Sequence, residues 1–394
     1  MYKMKCRHIA LLISLLMVWS ACTPPDSGPL TPSQIKKAEA FALSRLKQTL
    51  NEIPAGQYPI RTQGLGPWEL TTPDVWTSGF FPGCLWLAYE LTEDTTWIRP
   101  AERFTEGLAD QQYNTSHHDI GFMILNSFGH QYAYLQDEQS KQIILQSARS
   151  LATRYNEQVG CTQSWDGAYQ VIIDNMMNLE ILFWAAKYGG DPGLAEIAIR
   201  HANKTIENHL REDGSAFHVV VYDTSTGDVL EKRTAQGYAA ESAWARGQAW
   251  GIYGFTMCFR ETGDSTYLNT AEKMADYWIR HLPSDGIPYW DFKLPKDDPR
   301  QFRDASAAAI ACSGMLELRN YVRDPENYDR TVNRMLGALI RNYLSDGTES
   351  SGILLHCAYN ANHDNPYDRD ASTIWGDYYF LETLKRYIKT FDIE

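Results

Sequence analysis

The sequence is short of positive charge. Its 394 residues carry 36 Lys and Arg against 49 Asp and Glu, which gives a formal net charge of −13. A chain with this balance repels the phosphate backbone of nucleic acids, so nucleic acid is excluded as a partner. An acidic small substrate would have to be met by a local basic pocket rather than by the field of the whole protein.

Paired metal-ligand motifs are also missing. The ten His include no i, i+4 pair, which argues against a metal-dependent hydrolase. Beyond Cys6 and Cys22 the cysteines are odd in number and lack metal-type spacing, so we expect small buried hydrophobic side chains. These five are Cys84, Cys161, Cys258, Cys312 and Cys357.

One long apolar run lies at the N-terminus. Lys3, Lys5 and Arg7 precede it, and Ser20-Ala21 follow it, which is the layout of a secretory signal and too short for a comfortable membrane span. Cys22 then resembles the lipid-modified cysteine of bacterial lipoproteins. We predict a signal peptide at 1–21, a tether at 22–32 and a single catalytic domain at 33–394.

These predictions give the cellular location of the protein and the net charge of its mature form. The protein is expected to be exported, either to the periplasm or to a lipid anchor in a bacterial envelope membrane, with membrane contact only through Cys22. Removing residues 1–21 takes away three positive charges and lowers the net charge from −13 to −16.

In the rest of the chain, the segments between turn-forming residues such as Gly and Pro all have apolar residues at helical spacing. Five short turns, rich in Gly, Asp and Pro, each end one helix and start another. They lie at 91–94, 135–137, 189–192, 262–265 and 323–325. The helix before each turn is apolar nearly all round, whereas the helix after it has one apolar face.

The alternation predicts an all-α fold, an (α/α)6 barrel of six helical hairpins. Inner helices are expected near 77–91, 119–134, 173–188, 244–261, 305–321 and 372–388, and outer helices near 33–49, 95–112, 138–157, 192–209, 265–282 and 325–344. The long connections then all enter inner-helix N-termini at one mouth, where functional residues should gather. Six helix N-termini at one opening also favour an anionic ligand.

Asp119 and Asp174 each open a predicted inner helix. A helix cap is the simple interpretation of either residue alone. However, Asp119 follows two histidines, and Asp174 follows three apolar residues, where a carboxyl is pushed towards its protonated, acid-donating form. We therefore predict that both are catalytic, and that Asp304 is a cap.

The densest group of ligand-type residues opens the fourth inner helix. Trp244 and Trp250 offer stacking faces, and Arg246 offers a planar fork that suits a carboxylate. The alternative is structural, namely a buried Arg paired with Asp or Glu.

Taken together, these motifs resemble the unsaturated glucuronyl hydrolases of glycoside hydrolase family 88 over roughly residues 35–388. The resemblance rests on Trp76-Thr77-Ser78-Gly79-Phe80, His118-Asp119-Ile120-Gly121-Phe122, Ile173-Asp174-Asn175, the run Trp244 to Gly251, Arg303-Asp304 and Trp375-Gly376-Asp377-Tyr378-Tyr379. It implies a barrel without metal or organic cofactor. It also implies that Asp119 and Asp174 are the key aspartates and that Trp76, His218, Gln236, Trp244, Arg246 and Trp250 contact substrate.

The same resemblance implies a reaction. The partner would be a lyase-generated glycosaminoglycan oligosaccharide, whose 4,5-unsaturated uronic acid is released after hydration of the C4=C5 bond, with Asp174 as proton donor and Asp119 in support. Two alternatives stay open: an unsaturated rhamnogalacturonyl hydrolase of family 105 acting on pectin fragments, and a non-catalytic glycan-binding lipoprotein. The sequence leaves the glycan and its sulfation open. The residues that discriminate between glycans are expected within 345–371, including Ser350, Ser351, His356 and Tyr359, and the lack of a basic cluster there favours an unsulfated or lightly sulfated uronate.

Overall fold

The computed structural model describes residues 29–393, in which six inner helices form a closed ring. Each inner helix packs against the next along the chain, and the last packs against the first. In order they are Phe80–Thr92, Ile120–Leu135 (in three parts), Asn175–Asn178 with Glu180–Gly189, Ala245–Thr262, Ala305–Leu318 and Ile374–Phe391. The predicted ring of inner helices is confirmed.

A second layer of helices surrounds the ring, each packed on the inner helix of its own hairpin or on a neighbour. The outer helices are Pro32–Glu52, Ile98–Glu106, Glu138–Ala152, Pro192–Asn208, Ser265–His281 and Glu326–Asn342, and short 3₁₀ turns at Thr95–Trp97 and Ala109–Tyr113 flank the second. The hairpin turns work as predicted, because Asp137, Asp191 and Asp264 each accept a backbone N–H of the helix that follows.

Two inner helices are less regular than predicted. The one expected at 119–134 contains a π-helical turn, Leu125–Gly129, and the one expected at 173–188 breaks at Leu179. At the crossing of these helices, the side-chain oxygen of Asn178 accepts the backbone N–H of Phe122 at 2.9 Å. A side chain on one helix thereby takes part in the backbone hydrogen bonding of the other.

The all-α fold class is confirmed, and a few short strands that the helical periodicity did not predict are added to it. The long connections contain three small antiparallel sheets: Tyr58–Thr62 with Trp68–Thr71, Tyr155–Asn156 with Cys161–Thr162, and Val219–Tyr222 between Gln170–Ile172 and Val229–Arg233. In the third sheet Val171 faces Val220. These strands have two to five residues each, too short to show alternation of apolar and polar side chains.

Leu30 and Thr31, within the predicted tether, contact the helical domain. Leu30 is buried, and its N–H donates to the hydroxyl of Tyr387 at 3.2 Å, while Thr31 caps the first outer helix. The predicted signal peptide and Cys22 lie outside the described residues. Within 29–393, no helix combines the length and apolar character that crossing a bilayer requires.

Candidate active site at the mouth of the barrel

A cavity of about 260 Å³ opens at the end of the barrel where the long connections meet. Both predicted catalytic aspartates line it. The lining residues are Trp76, His118, Asp119, Phe122, Trp165, Ile172, Asp174, Ala235, Gln236, Arg246, Tyr359, Asn360 and His363. Five of the six long connections therefore contribute to one site, as expected for functional residues on loops held by a rigid scaffold.

Neither aspartate caps its helix. Asp119 and Asp174 stand at the N-cap positions of their helices, yet no helix N–H donates to either side chain. Asp304, in the same position on the fifth inner helix, accepts the N–H of Ala307 at 3.2 Å, which confirms its prediction as a cap. The simple cap interpretation therefore fails for the two aspartates in the cavity and holds for the third.

Asp174 is held near the point of ionisation at neutral pH. Burial raises the pKa of its carboxyl to about 7, Arg246 opposes this rise, and the charge of Asp119 adds to it. A carboxyl with a pKa near the working pH suits a general acid that must also return as a base.

Asp119 lies between two neutral histidines. Burial raises its pKa to about 7, and Asn178 and Arg154 act in the opposite direction. The Nε2 atom of His118 is 3.4 Å from one carboxylate oxygen, and the Nδ1 atom of His117 accepts the backbone N–H of Asp119 at 3.2 Å. Burial lowers the pKa of both imidazoles, so they act on Asp119 as dipoles and not as full positive charges.

The surroundings of His218 fix its tautomer. Its Nδ1 accepts the backbone N–H groups of Ala235 and Gln236, each at 3.2 Å, so the neutral ring carries its proton on Nε2. Burial holds the pKa of this imidazole well below its usual value. Nε2 lies 3.7 Å from a carboxylate oxygen of Asp174, and neither atom has a hydrogen-bond partner among the described residues. A buried donor and a buried acceptor thus face each other without a hydrogen bond, and His218 itself lies behind the cavity lining.

Arg246 lines the cavity and is also paired, as the structural alternative required. Its Nη1 binds Asp304 at 3.1 Å and the carbonyl of Ala358, and its Nη2 binds the carbonyl of Tyr359 at 2.8 Å. Both partners of the ion pair are almost fully buried. Its role as a ligand for a substrate carboxylate stays a prediction.

The other predicted substrate contacts divide into two groups. Trp76 and Gln236 line the cavity, whereas Trp244 and Trp250 are buried behind it. Trp244 stacks on His218 at 4.4 Å between ring centroids, and Trp250 packs on Phe122 at 5.1 Å. The structure gives these two tryptophans a supporting position, and their contact with substrate stays a prediction.

The prediction missed several lining residues, among them Trp165, Asn360 and His363, whereas Tyr359 was expected to help select the glycan. Trp165 lies in the loop before the strand Gln170–Ile172, and the other three lie in the connection before the last inner helix. The missed residues follow no periodic pattern, although an aromatic side chain in a long connection is a signal that could have found Trp165. Among residues 29–393, no three His, Cys, Asp or Glu side chains converge as metal ligands.

Comparison with known proteins agrees with this geometry. The Glycosyl Hydrolase Family 88 model matches residues 48–390. The chain belongs to glycoside hydrolase family 88. This membership confirms the resemblance inferred from the motifs and identifies the chain as a glycoside hydrolase, which removes the non-catalytic glycan-binding alternative.

Relatives within family 88 extend over nearly the whole chain. An unsaturated glucuronyl hydrolase of Formosa agariphila is 44% identical and covers 96% of this chain and 97% of its own. An unsaturated chondroitin disaccharide hydrolase of Streptococcus agalactiae is 33% identical, with 93% and 95% covered. The crystal structure of an unsaturated glucuronyl hydrolase specific for heparin has a TM-score of 0.88 at 38% identity, covering 92% of this chain and 99% of that one, which confirms the (α/α)6 fold.

Proposed function

We propose that the protein releases the 4,5-unsaturated uronic acid from the non-reducing end of lyase-generated glycosaminoglycan oligosaccharides. The observation that carries the proposal is the environment of the Asp174 carboxyl. Its carboxyl is buried in the cavity, caps no helix and has its pKa raised to about 7. The activities of the family 88 relatives named above support the choice of substrate.

The first chemical step is protonation of the double bond. The protonated carboxyl of Asp174 gives its proton to C4 of the enol ether, and positive charge develops at C5 and the ring oxygen. Asp119, in its ionised form, stabilises this charge or positions the sugar hydroxyls. Because both carboxyls titrate near the same pH and the charge of Asp119 raises the pKa of Asp174, one protonated Asp174 beside one ionised Asp119 is a favoured state of the pair.

Water completes the reaction. The Asp174 carboxylate, having lost its proton, takes one from a water molecule as that water adds to C5. The product is a hemiketal, which opens and expels the remaining sugar. No bond to the enzyme forms, and the anomeric carbon is not attacked, so the carboxylate spacing rule for ordinary glycosidases does not apply.

Turnover of a substrate panel tests the proposal. The loss of ultraviolet absorbance of the C4=C5 bond would be followed for unsaturated disaccharides of chondroitin, hyaluronan and heparan sulfate, with and without sulfate. An unsaturated rhamnogalacturonan disaccharide tests the pectin alternative. We expect hydrolysis of a glycosaminoglycan disaccharide with little or no sulfate; activity on the pectin fragment alone would overturn the proposal.

We also propose that the protein is exported and held by a lipid on Cys22. The basic residues, apolar run and small residues before this cysteine support the proposal. Cell fractionation of the wild type and a Cys22→Ser variant tests it. We expect the wild type with the membranes and the variant in the soluble fraction, and a wild type found in the cytoplasm would contradict export.

A further inference from the structure

One wall of the cavity is a short segment that belongs to no helix or strand. The wall segment, residues 357–363, carries the lining residues Tyr359, Asn360 and His363. From the cavity side, Gln236 donates to the carbonyl of Tyr359 at 3.0 Å, and Arg246 donates to the same carbonyl. These bonds, together with that from Arg246 to the carbonyl of Ala358, hold the backbone of the segment, whereas its lining side chains need support of their own.

That support comes from Arg61, which does not line the cavity. Arg61 lies on the strand Tyr58–Thr62 and is 8% exposed. Its Nε is 2.9 Å from a carboxylate oxygen of Asp368, an ion pair without hydrogen-bond geometry, and its guanidinium carbon lies 5.5 Å from the ring centroid of Tyr359. The same guanidinium pairs with Glu69 at 3.1 Å.

Asp368 connects Arg61 to the residues that line the cavity. Its second carboxylate oxygen accepts from Nδ1 of His363 at 2.7 Å, and its backbone carbonyl accepts the N–H of Asn360 at 2.8 Å. The other ring nitrogen of His363 is 3.0 Å from the side-chain nitrogen of Asn360. One buried guanidinium is therefore connected to all three lining side chains of the wall segment.

We propose that Arg61 is a positioning residue that sets the binding of the second sugar, acting through Asp368 and Tyr359. The inference rests on the proposed function. The unsaturated uronate must reach the buried Asp119 and Asp174, so the rest of the oligosaccharide leaves towards the open side of the cavity. His363, with about half of its side chain exposed, lies on that side.

The kinetics of an Arg61→Gln variant test the proposal with two substrates. One is an unsaturated glycosaminoglycan disaccharide, and the other is the methyl glycoside of the same unsaturated uronic acid, which has no second sugar. We expect KM for the disaccharide to rise about 10- to 100-fold, since misplacement of a positioning group costs factors of this size. Values of kcat, and both constants for the methyl glycoside, should change less than about twofold.

Arg319→Gln is the matched control. Arg319 pairs with Asp329 at 2.5 Å and lies 5.5 Å from the ring centroid of Phe391, but it follows the C-terminus of an inner helix, away from the mouth. The Arg319→Gln variant should have the wild-type kcat and KM for both substrates. Arg61→Lys, which keeps a charge beside Asp368, should restore part of the lost affinity, and Asp368→Asn combined with Arg61→Gln should raise KM no further than the worse single variant.

The outcomes separate the two proposals. A wild type that hydrolyses neither substrate refutes the proposed function. Titration of the disaccharide by tryptophan fluorescence then still tests Arg61, because equal affinity in the wild type and Arg61→Gln would overturn its role. An equal rise in KM for both substrates, or a loss confined to kcat, would also overturn it.

Discussion

Among the aspartates that open helices, Asp119 and Asp174 differ from the others because their side chains accept no N-cap hydrogen bond. The carboxylates of Asp264 and Asp304 each accept a helix N–H, whereas the two in the cavity do not. Sequence position alone predicts a cap in all four cases. The two histidines before Asp119 and the three apolar residues before Asp174 are the sequence signals that separate them.

The first residue-scale prediction concerns catalysis. Asp174→Asn removes the proton donor while keeping the shape of the side chain, so kcat on an unsaturated disaccharide should fall by about 10²- to 10⁴-fold. The loss of double-bond absorbance measures the rate, and circular dichroism checks that the fold is kept. A variant with the wild-type rate would remove Asp174 from the mechanism.

The second concerns stability against pH. The pKa of Asp174 is about 7 in the folded protein and 3.8 for the free carboxyl. Between these values the folded protein holds a proton that the unfolded chain has lost, so this group's contribution to stability falls as the pH rises through the window. The Tm of Asp174→Asn minus that of the wild type should therefore increase from about pH 4 to about pH 7 and then level off.

Asp264→Asn is the control for this measurement. The N–H of Thr266 donates to the exposed Asp264 and lowers its pKa, so its ionised form stabilises the fold. Its Asn variant should gain no stability over the wild type at any pH. A flat difference for Asp174→Asn would show that its carboxyl ionises normally in the folded protein.

The third separates the two roles of Arg246. Arg246→Gln leaves Asp304 buried without its partner, which should lower the free energy of unfolding by about 3–5 kcal/mol. The double variant with Asp304→Asn removes both charges and should recover part of that loss. If Arg246 binds the uronate carboxylate, KM stays high in the double variant; if KM recovers together with stability, Arg246 is structural.

At the scale of elements, the hairpins were predictable because each is encoded by one continuous stretch of sequence. That stretch contains an apolar helix, a turn and a helix with a single apolar face. The strands were not, since a strand such as Tyr155–Asn156 is defined by its pairing with Cys161–Thr162 rather than by its own pattern. The pairing of Arg246 with Asp304, 58 residues apart, was open for the same reason. Such contacts depend on how the ring closes.

The packing of two inner helices gives a prediction at this scale. A Cβ on Gly254 would lie 2.5 Å from the Cβ of Met176, in the short helix that starts after Asp174. Gly254→Ala should gain up to about 1 kcal/mol in helix propensity but lose about 1–3 kcal/mol to overpacking. We expect a net loss of stability together with a lower kcat, because the helix that follows Asp174 must shift.

Gly189→Ala is the matched control for packing. The nearest atom to its added Cβ would be the end of the Leu145 side chain at 2.6 Å, which can rotate away. Urea unfolding and kcat should both stay close to the wild type. Equal behaviour of the two variants would show that the inner ring tolerates the extra methyl group at Gly254.

At the scale of the whole molecule, charge should act against substrate binding. The full chain carries −13, and −16 without residues 1–21, while the uronate is also negative. Raising the ionic strength from about 0.01 to 0.15 M shortens the Debye length from about 30 to 8 Å, so repulsion from distant surface charges is screened. We expect kcat/KM to rise with salt and kcat to stay constant.

The uncharged methyl ester of the same disaccharide is the control, and its kinetics should not depend on salt. A sulfated disaccharide should show a steeper rise than the unsulfated one. If kcat/KM falls with salt instead, the local field of the helix N-termini and Arg246 outweighs the net charge of the protein.

The five buried free cysteines within residues 29–393 can serve as probes of local opening. Cys84, Cys258 and Cys312 lie in inner helices, Cys161 lies in a strand, and Cys357 begins the wall segment. A thiol reagent can reach each one only when its surroundings open, so the rate of modification at each site, read by mass spectrometry, reports the free energy of that local opening. The rate of modification at Cys357 therefore measures how often the cavity wall opens in molecules that are not turning over.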